Sequence, residues 1–148
     1  MSWWARRQQR RALGDGVWRA TADRLARALR SYEQMAQGVP AGPAADELWA
    51  AFGDLSAAVT DGRAACALAH ASAPSSGLDV PGGAHAHLHK RLSRLGAEIA
   101  AAAEGAAMVR AGEVTALRRV SSRATAVRAE AAELLTAAQA ADGAPAGR

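Results

Sequence analysis

The sequence has few of the residues that build an ordinary hydrophobic core. Its 148 residues include one phenylalanine and one tyrosine, and Leu, Val, Ile and Phe together number 23. That share of about 16 % lies below the level near 20 % at which disorder becomes a serious alternative. The net charge is only +4 and half of the residues are apolar. The spacing of the apolar residues must therefore decide between order and disorder.

Cysteine and long apolar runs are also scarce. The single cysteine excludes a disulfide framework within the chain and fits a reducing compartment. Because no run of about 18 apolar residues is present, the sequence predicts no membrane span. The basic start is not followed by the apolar run that a secretory or twin-arginine signal needs. We therefore expect a cytoplasmic protein, with peripheral contact at the inner face of the membrane as an alternative. Arginine outnumbers lysine 17 to 1, which is typical of a high-GC bacterial genome.

Alanine is abundant, with 42 residues, and it falls in a helical pattern. Apolar side chains and alanines recur at spacings of three and four residues in four segments. These segments are residues 18–36, 48–69, 88–109 and 117–138. Strand-like alternation is absent from the sequence. The pattern predicts an all-α fold, an up-down-up-down antiparallel four-helix bundle with alanine-rich seams.

The sequence also predicts where the helices begin and end. We expect a single domain over residues 1–141 and a disordered tail at 142–148. The predicted helices cover about residues 2–37, with a break at 14–16, then 45–71, 84–111 and 113–141. Gly112 favours a turn between the last two helices. The alternative is one helix of about 59 residues and about 90 Å, which would leave half of its apolar stripe bare.

Charge is distributed unevenly along the chain. The net charge is +6 over residues 1–30, −5 over 31–87 and +3 over 88–148. An acidic row, Glu47, Asp54 and Asp61, repeats every seven residues on the second long helix. If the first two long helices pair, Arg27 falls near Asp54 and Arg19 falls near Asp61. The expected role of these residues is flanking charge that fixes the register of the pair.

The single cysteine and all four histidines lie between positions 66 and 89. Cys66 and His70 are spaced i, i+4, as are His85 and His89, and this spacing places two side chains on one face of a helix. A hairpin between the second and third long helices would bring the two pairs together. Thiolate and imidazole ligands suit Zn(II) or copper in a tetrahedral site. The alternative is structural, because a cysteine in an apolar stripe is usually a small core residue.

The N-terminal segment combines tryptophan with arginine. Its candidate contact residues are Trp3, Trp4, Arg6, Arg7, Arg10 and Arg11. Both residue types are frequent anchors of protein contacts, and both suit an anionic membrane surface. The structural alternative is that the two tryptophans cap the end of the bundle.

Nucleic-acid binding is a further alternative. It would use the same arginines and four more on the last helix, Arg118, Arg119, Arg123 and Arg128. These residues would contact phosphates without sequence specificity. The sequence contains no recognised nucleic-acid-binding signature and few aromatic residues for base stacking.

The sequence offers no visible catalytic pattern. A nucleophile elbow, paired inward carboxylates and a cofactor fingerprint are all missing from it. We therefore expect no enzymatic activity, no small-molecule substrate, and no cofactor unless the Cys/His cluster holds zinc or copper. The sequence predicts an interaction or scaffold module that binds a protein partner through its N-terminus or self-associates. The alternatives are a metal-binding bundle and a nonspecific nucleic-acid-binding protein.

Overall fold

A computed structural model describes residues 2–143 of the chain, and in this range it contains five α-helices and no strand. The helices are α1 (Trp3–Leu13), α2 (Val17–Gln37), α3 (Pro43–Ser72), α4 (Ala84–Arg110) and α5 (Leu117–Asp142). A 3₁₀ turn at Val114–Ala116 leads into α5. The all-α prediction is confirmed for these residues. Most of the predicted tail, residues 144–148, lies outside the described range.

Glycines in a left-handed backbone conformation produce the two predicted breaks. Gly14 ends α1 with φ +67°, and Gly112 follows α4 with φ +105°. Glycine adopts positive φ without the steric penalty that a Cβ brings. The structure therefore has a break between α1 and α2 and a turn between α4 and α5. Helix α3 begins at Pro43, slightly before its expected start, because proline is well suited to the first helical turn.

The helices do not pack in the neighbour order that the sequence suggested. The largest interface joins α3 to α5, the next joins α2 to α4, and α3 makes little contact with α4. Helices α3 and α5 run in the same direction, because Glu47 contacts Ser121 at 2.8 Å and Asp54 contacts Arg128 at 2.7 Å, each seven residues further along. The loop 73–83 is long enough to place α4 away from α3. The expectation that each helix packs on the next is wrong at this loop.

Small residues in the seams allow the close approach of α3 and α5. On α5, the buried alanines Ala124, Ala131 and Ala138 follow the predicted apolar stripe. On α3, Ala51, Ala58 and Ala65 form a second buried row beside the predicted stripe, which contains Ala69. The larger core side chains come mainly from α2, α3 and α4. Trp18 and Tyr32, both on α2, are fully buried. Alanine buries little apolar area for each turn, and its high helix propensity offsets part of that deficit.

The acidic row of α3 faces a different partner from the one expected. Asp54 pairs with Arg128 on α5, and not with Arg27 on α2. Arg19 pairs within its own helix region, at 3.1 Å from Asp15 and 3.7 Å from Asp23. The reason is the wide α3–α5 interface, which turns the Asp54 side of α3 towards α5. The predicted charge register between the first two long helices is therefore wrong.

The first turn of α2 is capped by a distant loop. Gly16 has no side chain to cap the helix, and the Val17 amide instead donates to Ser75 Oγ at 3.3 Å. The Ser75 hydroxyl donates to the carbonyl of Asp79 at 2.9 Å, which ties the loop to itself. A Cβ on Gly16 would overlap the backbone carbonyl of Ser75. This end of the bundle therefore depends on close backbone contact at Gly16.

Two glycine-to-alanine substitutions should shift stability in opposite directions. Gly16→Ala should lower the free energy of unfolding by about 1–3 kcal/mol, because the loop must move away from the new methyl group. Gly53→Ala is the matched control, since a Cβ there meets nothing within 4 Å on an exposed position of α3. It should raise stability by about 0.5–1 kcal/mol through helix propensity. Urea unfolding measures both, and equal stabilities of Gly16→Ala and the wild type would contradict the proposed close contact.

Candidate functional site

Helix α1 lies on the outside of the bundle and is attached along one side. Leu13 is its buried residue. The Gln9 side-chain amide donates to Asp23 of α2 at 3.0 Å. Ala5 and Gln9 face Ala64 of α3 across a shallow groove. The attachment is small, and most of the surface of α1 faces solvent.

The tryptophans of α1 are the most exposed aromatic residues in the described range. Trp3 is 57 % exposed and Trp4 is 69 % exposed. Their ring centroids lie 5.0 Å apart with an interplanar angle of 78°. The Arg7 guanidinium lies 5.2 Å from the centroid of Trp3, a cation–π contact worth about 0.5–1 kcal/mol at an exposed site. The alternative that these tryptophans cap the bundle is therefore wrong.

The arginines of α1 surround the indoles and lack acidic partners. Trp3, Arg6, Arg7 and Arg10 line an open groove together with Arg19 of α2. Arg19 is paired with two aspartates, but no arginine of α1 has a carboxylate oxygen within 4.0 Å among residues 2–143. Four positive charges therefore lie on one short helix without an ion pair to any described residue.

The outer face of α1 mixes its aromatic and basic residues. Trp3, Arg7 and Arg11 follow an i, i+4, i+8 spacing, which places them on the same face of the helix. Trp4 lies beside them, and all of these residues are exposed. The opposite face, with Gln9 and Leu13, contacts the bundle. Indole rings and guanidinium groups therefore project from the same side of the helix.

The Cys/His residues form separate structural contacts. Cys66 is fully buried, and burial raises the pKa of its thiol to about 12. The His70 ring lies against the backbone of Gly14, and its buried Nδ1 has no hydrogen-bond partner in the described structure. His85 Nε2 lies 2.9 Å from Ser72 Oγ.

Trp18 packs against His85 and His89 at the start of α4. Its ring centroid lies 6.4 Å from that of His85 and 5.9 Å from that of His89, edge to face in both cases. Among residues 2–143, no group of three or more His, Cys, Asp or Glu side chains is positioned to hold a metal ion. The predicted ligand set of Cys66, His70, His85 and His89 is not assembled in the described residues, because His85 and His89 pack on Trp18 and Cys66 lies in the core.

The arginines of α5 differ from those of α1. Arg123 is 2.6 Å from Glu98, and Arg128 is 2.7 Å from Asp54. Arg118 and Arg119 are exposed and share a shallow groove with Ser122. Half of the basic residues expected to contact phosphates on this helix are therefore engaged in ion pairs that hold helices together.

The sequence did not predict that an aromatic pair on α3 would be partly exposed at the surface. Trp49 is 38 % exposed, and its ring lies edge to face with Phe52 at 5.4 Å. Phe52 also stacks on the buried Tyr32 at 6.4 Å. The sequence signal was the position of Trp49 beside the apolar stripe of α3 and not within it.

Comparisons with known proteins add no further information about this site. No protein-family model, curated protein or solved structure matches the chain. Within residues 2–143, the helices are all too short or too polar to cross a membrane. The interpretation of the site therefore rests on its own geometry.

The thiol of Cys66 should be nearly inert in the folded protein. The thiolate is the reactive form, and burial both blocks access and keeps the proton on the sulfur. We expect Ellman's reagent to react with the native protein at least about a hundredfold more slowly than with the protein in denaturing urea. Fast stoichiometric reaction under native conditions would contradict the buried position of Cys66.

The contribution of His89 to the free energy of unfolding should decrease as the pH is lowered. Burial, and secondarily the positive charge of Arg24, lower the pKa of His89 below its usual 6.5. The unfolded state then binds more protons, so the contribution of His89 is present above about pH 6.5 and is lost as the pH falls towards the folded pKa. Urea unfolding of the wild type and His89→Gln at pH 7.5 and 5.5 isolates this residue. The difference in the free energy of unfolding between the wild type and His89→Gln should shrink or reverse at pH 5.5. A difference that does not depend on pH would contradict the lowered pKa of His89.

Proposed function

We propose that this protein is a non-catalytic helical scaffold that binds an anionic partner through the outer face of α1. This face, called the Trp/Arg surface, consists of Trp3, Trp4, Arg6, Arg7, Arg10 and Arg11. The observation that carries the proposal is the exposure of two adjacent indoles, 57 % and 69 %, among arginines that have no acidic partner in the described residues. Exposed aromatic residues that cluster on a monomer usually mark an interaction site.

The rest of the chain serves in this proposal as the support. Helices α2–α5 would form a four-helix bundle in which chain direction alternates along the sequence. With α2, α3, α5 and α4 in order around its axis, α3 and α5 would be parallel neighbours. The pattern of helix contacts supports this arrangement. Ion pairs such as Arg91–Glu130 at 2.9 Å link neighbouring helices, and this supports a structural role for the charged residues that form them.

A pair of variants with equal net charge tests the proposal. Arg7→Gln/Arg11→Gln removes two charges from the Trp/Arg surface, and Arg118→Gln/Arg119→Gln removes two exposed charges from α5. The probe is poly-L-glutamate, an acidic polymer without defined shape, and calorimetry at low salt measures its affinity. We expect the α1 variant to lose about tenfold in affinity, or about 1.4 kcal/mol, and the α5 variant to lose much less.

The two variants separate a local site from a general charge effect. Circular dichroism confirms that both retain the helix content of the wild type, as expected for exposed positions. Equal losses in the two variants would show that binding follows net charge, and this would overturn the assignment to α1. No binding by the wild type would also overturn it.

A further inference from the structure

The chemistry of the Trp/Arg surface narrows the class of partner. An indole has an apolar body and one polar N–H group, so tryptophan is enriched at the headgroup level of membranes, where one side is apolar and the other is wet. Trp3 and Trp4 project next to each other from the end of α1 that lies away from the Gly14 turn. A shallow insertion of both rings needs no concave pocket in the partner.

The arginines supply the second half of an interfacial contact. Guanidinium groups bind phosphate oxygens in bidentate geometry. Arg7 and Arg11 share the face of Trp3, while Arg6 and Arg10 line the groove beside it. Helix α1 contains no acidic residue, and its four arginines form no ion pair within the described residues. Each basic residue near an anionic surface strengthens binding about fivefold.

The ring geometry argues against single-stranded nucleic acid as the partner. Successive bases stack on open, roughly parallel aromatic faces. Here the Arg7 guanidinium covers one face of the Trp3 ring. The Trp4 ring is inclined at 78° to the Trp3 ring. The two indoles therefore offer no platform on which neighbouring bases could stack together.

The shape of α1 argues against a rigid protein partner. Hot spots of protein interfaces lie in packed, desolvated surroundings. Trp4 is 69 % exposed at the end of a helix, and its neighbours on the outer face are arginines. A deformable surface can accept such projecting rings and phosphate-binding groups at the same time, whereas a protein would need a matching pocket.

We infer that the partner of the Trp/Arg surface is a bilayer rich in anionic phospholipid. This inference rests on the proposed function. Trp3 and Trp4 enter the headgroup region, and Arg6, Arg7, Arg10 and Arg11 bind lipid phosphates around them. The inner face of α1 stays on α2 and α3, so the bundle is held at the membrane surface by one side of a short helix.

Vesicle co-sedimentation tests this inference. The full-length protein is mixed with vesicles of phosphatidylcholine alone or of phosphatidylcholine with phosphatidylglycerol. We expect the wild type to sediment only with the anionic vesicles, and its tryptophan emission to shift to shorter wavelength. Trp3→Ala/Trp4→Ala and Arg7→Gln/Arg11→Gln should each lower the partition coefficient about tenfold or more. Arg118→Gln/Arg119→Gln is the charge-matched control and should stay close to the wild type.

The outcomes distinguish this inference from the function on which it rests. Binding to poly-L-glutamate that depends on Arg7 and Arg11, without sedimentation on anionic vesicles, would overturn the lipid inference and leave the proposed function standing. If neither poly-L-glutamate nor anionic vesicles bind in a way that depends on α1, both the proposed function and the lipid inference would be overturned. Sedimentation that the tryptophan double variant leaves unchanged would overturn the insertion of the indoles. Tighter binding to a single-stranded oligonucleotide, lost in that same variant, would assign the surface to nucleic acid instead.

Discussion

The buried indole of Trp18 holds together the end of the bundle at which α2 begins, α3 ends and α4 begins. Its N–H donates to the Ala73 carbonyl at 2.9 Å, and its ring packs against His85 and His89. One side chain therefore joins the start of α2, the end of α3 and the start of α4. The Val17 amide bonded to Ser75 reinforces the same junction. The junction fixes the turn between α1 and α2, and the contacts of Gln9 and Leu13 then determine which side of α1 faces solvent.

The same junction explains why the histidines and the arginines have different roles. His70 lies against the Gly14 turn, and His85 and His89 line the indole, so these side chains are part of the packing. The arginines of α1 lie beyond the turn, where the bundle offers them no carboxylates in the described residues. Charge that helps folding elsewhere, as in Arg128–Asp54 at 2.7 Å, is left free on α1. This difference is the physical basis for placing the interaction site there.

Much of the secondary structure could be predicted from the sequence, because a spacing of three and four residues selects one face of each helix. The arrangement of the helices could not, since the composition of loop 73–83 does not say which neighbour α4 will choose. That choice placed His85 and His89 against Trp18 and turned Asp54 towards α5. The residues of the Trp/Arg surface could be named from the sequence. Their common orientation could not, because α1 is short and the few contacts of Gln9 and Leu13 decide it.

The central claim is that the indoles of α1 face a partner, while Trp18 stays in the core and Trp49 takes no part in the contact. The most direct measurement is ¹⁹F NMR of the protein labelled at its four tryptophans with 5-fluorotryptophan, in the presence of a water-soluble paramagnetic agent. Relaxation in the free protein should be strong for Trp3 and Trp4, weaker for Trp49 and negligible for Trp18. Addition of nanodiscs that contain phosphatidylglycerol should protect Trp3 and Trp4 and leave Trp49 accessible. Equal protection of Trp3, Trp4 and Trp18 in the free protein, or no change on adding nanodiscs, would contradict the account.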